Sequence, residues 1–394
     1  MDSYDDPDLV ILSEKDITDY NDAGYLAQSP RVLASIQTWL APTKYLAENS
    51  EYRKHVNSYL EGTGNWFQAS KAYQDWHDSP GIGALWIKAV AGAGKSVLAA
   101  STAARLAQEE QVPVLFFFFR QIVALNHEPK YLMRDWLSQL LSFSPWLQNQ
   151  LYSRYVDDRK DPMDINTISL DELWRLICDT LSFMPKAYCI VDALDEMDHD
   201  SQGFLQKLIE LGQQKPASIK LLLTSRPVPH VENELRSHVS QVRLDPEDVE
   251  GDVDFYVDYR LKPIGGPPTF YETLKPIICR RSQGLFLYAR LVTDELIEAV
   301  KGIDIAPADI PRIVESVPES LEDVYNKMLV DHSRRSGVPK EHQLTILQWV
   351  THTMRPLRLI EVCPEKKSAK SEASANRILD ELGCCGFASG WGRR

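Results

Sequence analysis

Residues Leu85 to Ala100, LWIKAVAGAGKSVLAA, run a buried strand, a glycine loop closed by Lys95-Ser96 and a helix start in direct succession. That is the layout of a phosphate-binding P-loop. Leu85, Trp86 and Ile87 are strand-like, and Gly92 and Gly94 let the backbone curl so that successive N–H groups face a phosphate. The helix beginning near Lys95 adds the positive end of its dipole. The candidate phosphate-binding residues are therefore Ala91, Gly92, Ala93, Gly94, Lys95, Ser96 and Val97, with Lys95 reaching the terminal phosphates and the Ser96 hydroxyl a ligand for Mg²⁺. One position departs from the general pattern: Ala89 stands where a first glycine is usual. Alanine resists positive φ, so the entry turn must be built with ordinary dihedrals. Taken alone, the segment also fits a helix that simply starts with small residues.

A second segment, Ala187 to Asp198, reads AYCIVDALDEMD. Tyr188, Cys189, Ile190 and Val191 form a continuous apolar run, as expected of a central parallel strand covered on both faces. Asp192 ends the run, and Asp195-Glu196 follow on the exit loop. Ligands of parallel α/β sheets bind beyond the carboxyl ends of the strands. A carboxylate at Asp192 is placed to hold Mg²⁺ or its water, and Asp195 or Glu196 to orient an attacking water. An acidic, helix-capping loop is the bland alternative. A third segment, Ile219 to Pro227 (IKLLLTSRP), is another buried strand ending in Thr224, Ser225 and Arg226. Arg226 at that edge is a candidate sensor of γ-phosphate charge; a surface ion pair with the nearby acids is its ordinary role.

Together LWIKAVAGAGKS, CIVDALDE and LLTSRP resemble the NACHT branch of the STAND P-loop NTPases, more narrowly the nephrocystin-3-like N-terminal domain of fungal NACHT–ankyrin proteins. Tyr52-Arg53-Lys54-His55 and Gly62-Thr63-Gly64-Asn65-Trp66 resemble the family's lead-in, and Phe116 to Arg120 its second strand. Ser282 to Ala289 resembles the start of its small helical domain, and Glu319 to Leu321, Tyr325 and Ile346 to Leu359 the entry to its winged helix. The resemblance implies that the lead-in straps the nucleotide base, which makes Thr63 and Trp66 base-side candidates; packing of Trp66 and Trp76 against the sheet is the alternative. It implies ATP/ADP with Mg²⁺, slow hydrolysis, self-association on activation and a part in non-self recognition or cell-death signalling. It also implies a winged-helix histidine on the diphosphate, but His352 precedes the place for it, and His199 reads as a surface residue.

The expected fold class is α/β: a P-loop NTPase with a mainly parallel sheet flanked by helices, followed by a small helical domain and a partial winged-helix region. Residues 1–29 are Asp-rich and read as a disordered arm, and 30–80 as a helical lead-in, where Val32, Ile36, Leu40 and Leu46 suggest one apolar face. Residues 81–245 read as the NTPase core, 246–318 as the helical domain, 319–363 as the partial winged helix and 364–394 as a divergent tail. No repeat of 33, 34 or 40-odd residues is visible, so truncation before the family's sensor repeats is expected.

Charge and cysteine usage agree with this. A net charge of −13 over 394 residues argues against non-specific binding of nucleic acid or anionic membrane. No apolar run approaches the roughly 20 residues of a membrane span, and the acidic N-terminus is unlike a signal peptide, so a cytoplasmic protein is expected. The six cysteines lack metal-ligand spacing; Cys178, Cys189 and Cys279 lie in apolar contexts and read as buried free thiols, and Cys384-Cys385 as exposed. The leading functional expectation is a nucleotide switch. The alternative is a scaffold that holds nucleotide without turning it over, and a small-molecule kinase is a weaker third.

Overall fold

The computed structural model describes residues 25–123, 125–156, 163–198, 202–214, 218–264, 267–301 and 306–352. The acidic arm up to residue 24, His199, Cys384-Cys385 and the tail 364–394 lie outside them, and the winged-helix span is described only as far as His352. Among the described residues, no helix is long and apolar enough to cross a membrane.

Five strands form one sheet: β1 (Ala84–Lys88), β2 (Val114–Phe118), β3 (Ala187–Asp192), β4 (Ile219–Ser225) and β5 (Ser240–Arg243). Their spatial order is β2-β3-β4-β1-β5 and every pairing is parallel. Successive strands are joined by crossovers, so all carboxyl ends meet at one edge. Register aligns Lys88 with Ser225 and Phe118 with Asp192. The mainly parallel α/β reading is thus the observed fold.

Alternation along the strands builds two half-cores. Trp86, Cys189, Val191, Leu221 and Leu223 face one side, under helices Pro30–Leu40, Pro129–Leu140, Leu170–Ser182 and Gln202–Gln213. Leu85, Ile87, Tyr188, Ile190 and Leu222 face the other, under helices Glu51–Asn57, Lys71–Asp78 and Lys95–Glu109. The edge of β2 is covered in an unusual way. The Gln139 side-chain amide accepts from the N–H of Phe116 at 2.9 Å and donates to its carbonyl at 3.0 Å, copying the pairing of a further strand.

Helix ends follow local chemistry. Ser169 caps Leu170–Ser182, with Asp171 and Glu172 in its first turn. The first helix stops at Leu40 because Ala41 precedes Pro42 and turns left-handed, at φ 45°. Leu46 therefore does not extend the apolar face of Ile36 and Leu40; it is exposed. Of the described cysteines, all free, Cys189 is buried, whereas Cys178 and Cys279 are only partly so.

After β5 the chain is helical. Helices Pro246–Leu261, Pro268–Ser282 and Phe286–Val300 pack together through Val249, Val253, Val257, Phe270, Leu274, Ile278, Val292 and Leu296. From Glu315 the described residues form a second compact unit, with helices Leu321–Ser336 and Lys340–His352.

The lead-in is pinned to the sheet-covering helices by a buried carboxylate. Asp135, fully buried on Pro129–Leu140, accepts from the N–H of Thr43 at 2.6 Å and also from the Thr43 hydroxyl. Burial pushes its carboxyl up to about 7, against the pull of the Thr43 donors and Arg134. A folded-state value above the unfolded one gives a contribution that is full below the ordinary carboxylate range and lost as pH rises through about 7. Asn at this position does not titrate. The melting temperature of Asp135→Asn should therefore gain on the wild type, by on the order of a few degrees, between about pH 5 and about pH 8. A difference that stays constant across that window would contradict this account.

Candidate functional site

The loop after β1 brings the first group of candidates to the sheet's carboxyl edge. Ala89 is absent from the positive-φ residues, as its side chain requires, and the left-handed turns fall at Gly92 (φ 83°) and Gly94 (φ 90°). Gly94 is the N-cap of the 15-residue helix Lys95–Glu109, and no side chain caps that N-terminus. Its first-turn N–H groups are a natural anion seat. Lys95 is buried, and its ammonium donates to the carbonyls of Ala89 (2.8 Å) and Val90 (2.9 Å). Burial lowers its pKa, while Asp192 and Asp195 pull it back up.

Asp192, at the end of β3, is 2% exposed. Its carboxylate accepts from the Thr224 hydroxyl at 2.5 Å and is hydrogen-bonded by the Ser96 side chain. Desolvation raises its pKa, opposed by His55, Thr224, Ser96 and Lys95. The two metal-side candidates, Ser96 and Asp192, are thus brought together. The Thr224 hydroxyl oxygen also accepts from the N–H of Ala193 at 3.0 Å. Ala193 is left-handed at φ 56°, a conformation that costs an alanine roughly 1 kcal/mol or more. That turn swings Leu194–Glu196 across the edge.

The two acids of that turn have different surroundings. The side chain of Asp195 is 3% exposed and accepts from the Arg226 N–H (2.7 Å) and Nε (2.5 Å). Asp195 is the first cause of Arg226's raised pKa. Glu196 is more open; Arg120 Nη1 lies 3.2 Å from its Oε1, and the Gln121 N–H donates to its Oε2 at 3.1 Å. Arg226 therefore makes the ion pair that the bland alternative foresaw, at the carboxyl edge of the sheet.

The base-side candidates lie on the lead-in. Thr63 is buried, and its hydroxyl donates to the Leu60 carbonyl at 2.7 Å. Trp66 is half-buried at the rim of the core, and its indole N–H donates to Asp252 at 3.1 Å. Trp76, by contrast, is fully buried against the sheet.

The helical region closes over the loop. The N–H of Leu287 donates to the Gly92 carbonyl at 3.2 Å. A Cβ on Gly92 would come within 2.7 Å of the Leu287 Cβ, and one on Gly94 within 3.3 Å of the Phe286 ring. Gly284 makes this seat possible: its φ is 77°, and a Cβ there would meet the Pro246 Cα at 2.7 Å. Loop and helix thus pack backbone to backbone.

Three participants have only weak signals in the sequence. Arg120 ends an apolar run in the manner of Asp192 and Arg226, so its position was readable even though its partner Glu196 was not. His55, whose pKa is lowered by burial and raised by Asp192, sits on the lead-in helix against Phe118. Asp252 has no local mark at all. Among the described residues, no group of three or more His, Cys, Asp and Glu could hold a metal by protein ligands alone. The set that is present, one hydroxyl and one buried carboxylate beside an anion seat, fits a Mg²⁺ that also takes phosphate oxygens and waters.

Comparison with known proteins bears on this geometry. The chain is 23% identical over 335 residues to the vegetative incompatibility protein HET-E-1 of Podospora anserina, which covers 80% of this chain and 24% of that protein. It therefore spans about a quarter of that relative's length. Solved structures that align with it include a Walker-type ATPase of Pyrococcus abyssi (12% identity, 83% of this chain, 90% of that one, TM-score 0.42). Another is Cdc6p from Pyrobaculum aerophilum (16% identity, 84% of each chain, TM-score 0.44). At such scores the fold rests on this chain's own sheet order. A family model described as nephrocystin 3, N-terminal, matches residues 62–226. Over that span, which holds the lead-in segment, the glycine loop, the acidic turn and Arg226, the chain is similar to the nephrocystin 3 N-terminal family.

Proposed function

We propose that the chain is a nucleotide-binding switch of the NACHT type, taking ATP and ADP with Mg²⁺ and hydrolysing slowly. The observation that carries this is one edge of the sheet. There a buried ammonium, an uncapped helix N-terminus, a hydroxyl–carboxylate pair and an acidic turn converge under a helix seated on the glycine loop.

Bound Mg²⁺ would neutralise phosphate charge as it develops. Lys95 leaves the loop carbonyls for the β/γ-phosphate oxygens, and the N–H groups of Ala91 to Val97 line the phosphate chain. Ser96 and Asp192 hold the metal side, and Thr224 keeps the Asp192 carboxylate aimed. Glu196, the more open acid, accepts the proton of the attacking water. Asp195 is committed to Arg226 and sets the guanidinium where γ-phosphate charge can be read. Thr63 and Trp66 face the base.

As a switch, the chain must make different contacts in its two nucleotide states. The seat of Leu287 on Gly92 is the contact whose making and breaking distinguishes closed from open forms. In the open form the chain self-associates in non-self recognition or cell-death signalling, a reading supported by the incompatibility protein among its relatives. A second reading, a module that holds nucleotide without turnover, is favoured by one observation: both oxygens of Glu196 are already engaged, by Arg120 and Gln121.

Lys95→Ala should weaken Mg²⁺-ATP binding by about 100-fold or more, because a charge-assisted contact to phosphate is lost. Unchanged affinity in a titration with labelled ATP would refute the site. Glu196→Gln should retain ATP while turnover falls about 100-fold or more, measured as phosphate release. A wild-type chain that binds ATP and releases no phosphate would instead establish the second reading.

A further inference from the structure

Helix Pro246–Leu261 meets the lead-in directly and the glycine loop through Phe286 of a neighbouring helix. Its N-terminus is fixed by an Asp245/Asp248 capping box, and it presents Asp252 and Phe255, three residues apart, to the lead-in. The Asp252 Oδ2 atom accepts two donors at once: the Gly64 N–H at 2.6 Å and the Trp66 indole N–H at 3.1 Å. The Phe255 ring lies 3.5 Å from where a Gly62 Cβ would stand. The next residue, Tyr256, meets Phe286 edge-on at 5.8 Å, and Phe286 lies over Gly94 of the phosphate loop.

The lead-in cannot supply the Asp252 contact from its own sequence. Gly64, left-handed at φ 75°, is the N-cap of the short helix Asn65–Ala69. In a capping box, the residue three places into the helix would return an acceptor to the N-cap N–H. Here that residue is Phe67, which has none. Asp252, 188 residues further on, fills the role from another part of the fold. Other polar groups around the strap bond locally: the Thr63 hydroxyl donates to the Leu60 carbonyl, the Tyr59 hydroxyl to the Thr63 carbonyl and the Asn65 amide to the Gly62 carbonyl.

We infer that Asp252 is the positioning residue that fixes the Gly62–Trp66 strap on the base side of the nucleotide site, so that the helical region sets strap and phosphate loop together. This rests on the nucleotide reading above. Asp252 touches neither phosphate nor metal in this account; it acts on the base through Gly64 and Trp66. Desolvation raises the pKa of its half-buried carboxyl, and the two donors pull it back. Helix Pro246–Leu261 thus holds the strap through Asp252 and meets, through Tyr256, the Phe286 ring of the next helix that lies over the loop.

The test compares two ligands, Mg²⁺-ATP and Mg²⁺-tripolyphosphate, which has the phosphate chain and no base. Both are titrated calorimetrically into wild type, Asp252→Ala and Asp252→Asn, with a melting curve for each protein. Asp252→Ala should bind ATP about 10-fold more weakly, from the loss of charge-assisted hydrogen bonds. Its tripolyphosphate affinity should stay within about 2-fold of wild type, and Asp252→Asn, which keeps an acceptor oxygen, should recover most of the ATP affinity. Equal loss for both ligands, or no loss for either, would overturn the inference. Should Asp252→Ala not fold, Asp252→Asn decides alone: ATP weakened about 2- to 3-fold with tripolyphosphate unchanged supports it, and ATP unchanged overturns it. A wild type that takes up tripolyphosphate or nothing, but not ATP, would overturn the nucleotide reading itself. A wild type that binds ATP beside an indifferent Asp252→Ala would remove only the role of Asp252.

Discussion

A buried carboxylate cannot stay ionised without close partners, and the arrangement of this site follows from how Asp192 acquires them. Its partners come from different elements: Thr224 from the end of β4, Ser96 from the first turn after the glycine loop, and Lys95 beside it. Each can arrive only because β4 lies between β1 and β3 and all three strands run the same way. The same hydroxyl of Thr224 that steadies Asp192 also holds the left-handed turn at Ala193. Strain at Ala193 is thus stored where it directs Asp195 and Glu196 across the carboxyl edge of the sheet, a use of strain common at functional sites.

From that centre the structure extends outward by paired charges. Asp195 is fixed by Arg226, Glu196 by Arg120 and Gln121, and the helical region enters through Leu287 on the Gly92 carbonyl. A loop that turns its N–H groups to a phosphate, as proposed here, has few other ways to be held. Its carbonyls remain available, and both Lys95 and Leu287 use them. Movement of the helical region then acts on the loop backbone directly. In the proposed switch, that is a short mechanical path from nucleotide to the helical region.

Much of this was legible in the sequence because it depends on local pattern. The apolar run Tyr188 to Val191 and the glycine spacing around Lys95 specify a strand end and a turn by themselves. The continuation of the first apolar face to Leu46 failed because the Ala41-Pro42 stop outweighs the hydrophobic spacing. What the pattern could not carry is pairing across the fold. That Glu196 meets Arg120 depends on β2 lying beside β3, and that Gly64 meets Asp252 depends on a helix 188 residues away. The choice between Asp195 and Glu196 likewise needed their partners, since the two residues are adjacent and chemically alike.

The central claim is that this edge holds a nucleotide, and the most direct measurement is to identify what the purified chain carries. Denaturing the protein and resolving the released material by ion-exchange chromatography should yield ADP or ATP, or else an empty chain that then takes up Mg²⁺-ATP. A chain that releases no nucleotide and also refuses Mg²⁺-ATP would contradict the account, leaving a P-loop fold whose phosphate seat is no longer in use.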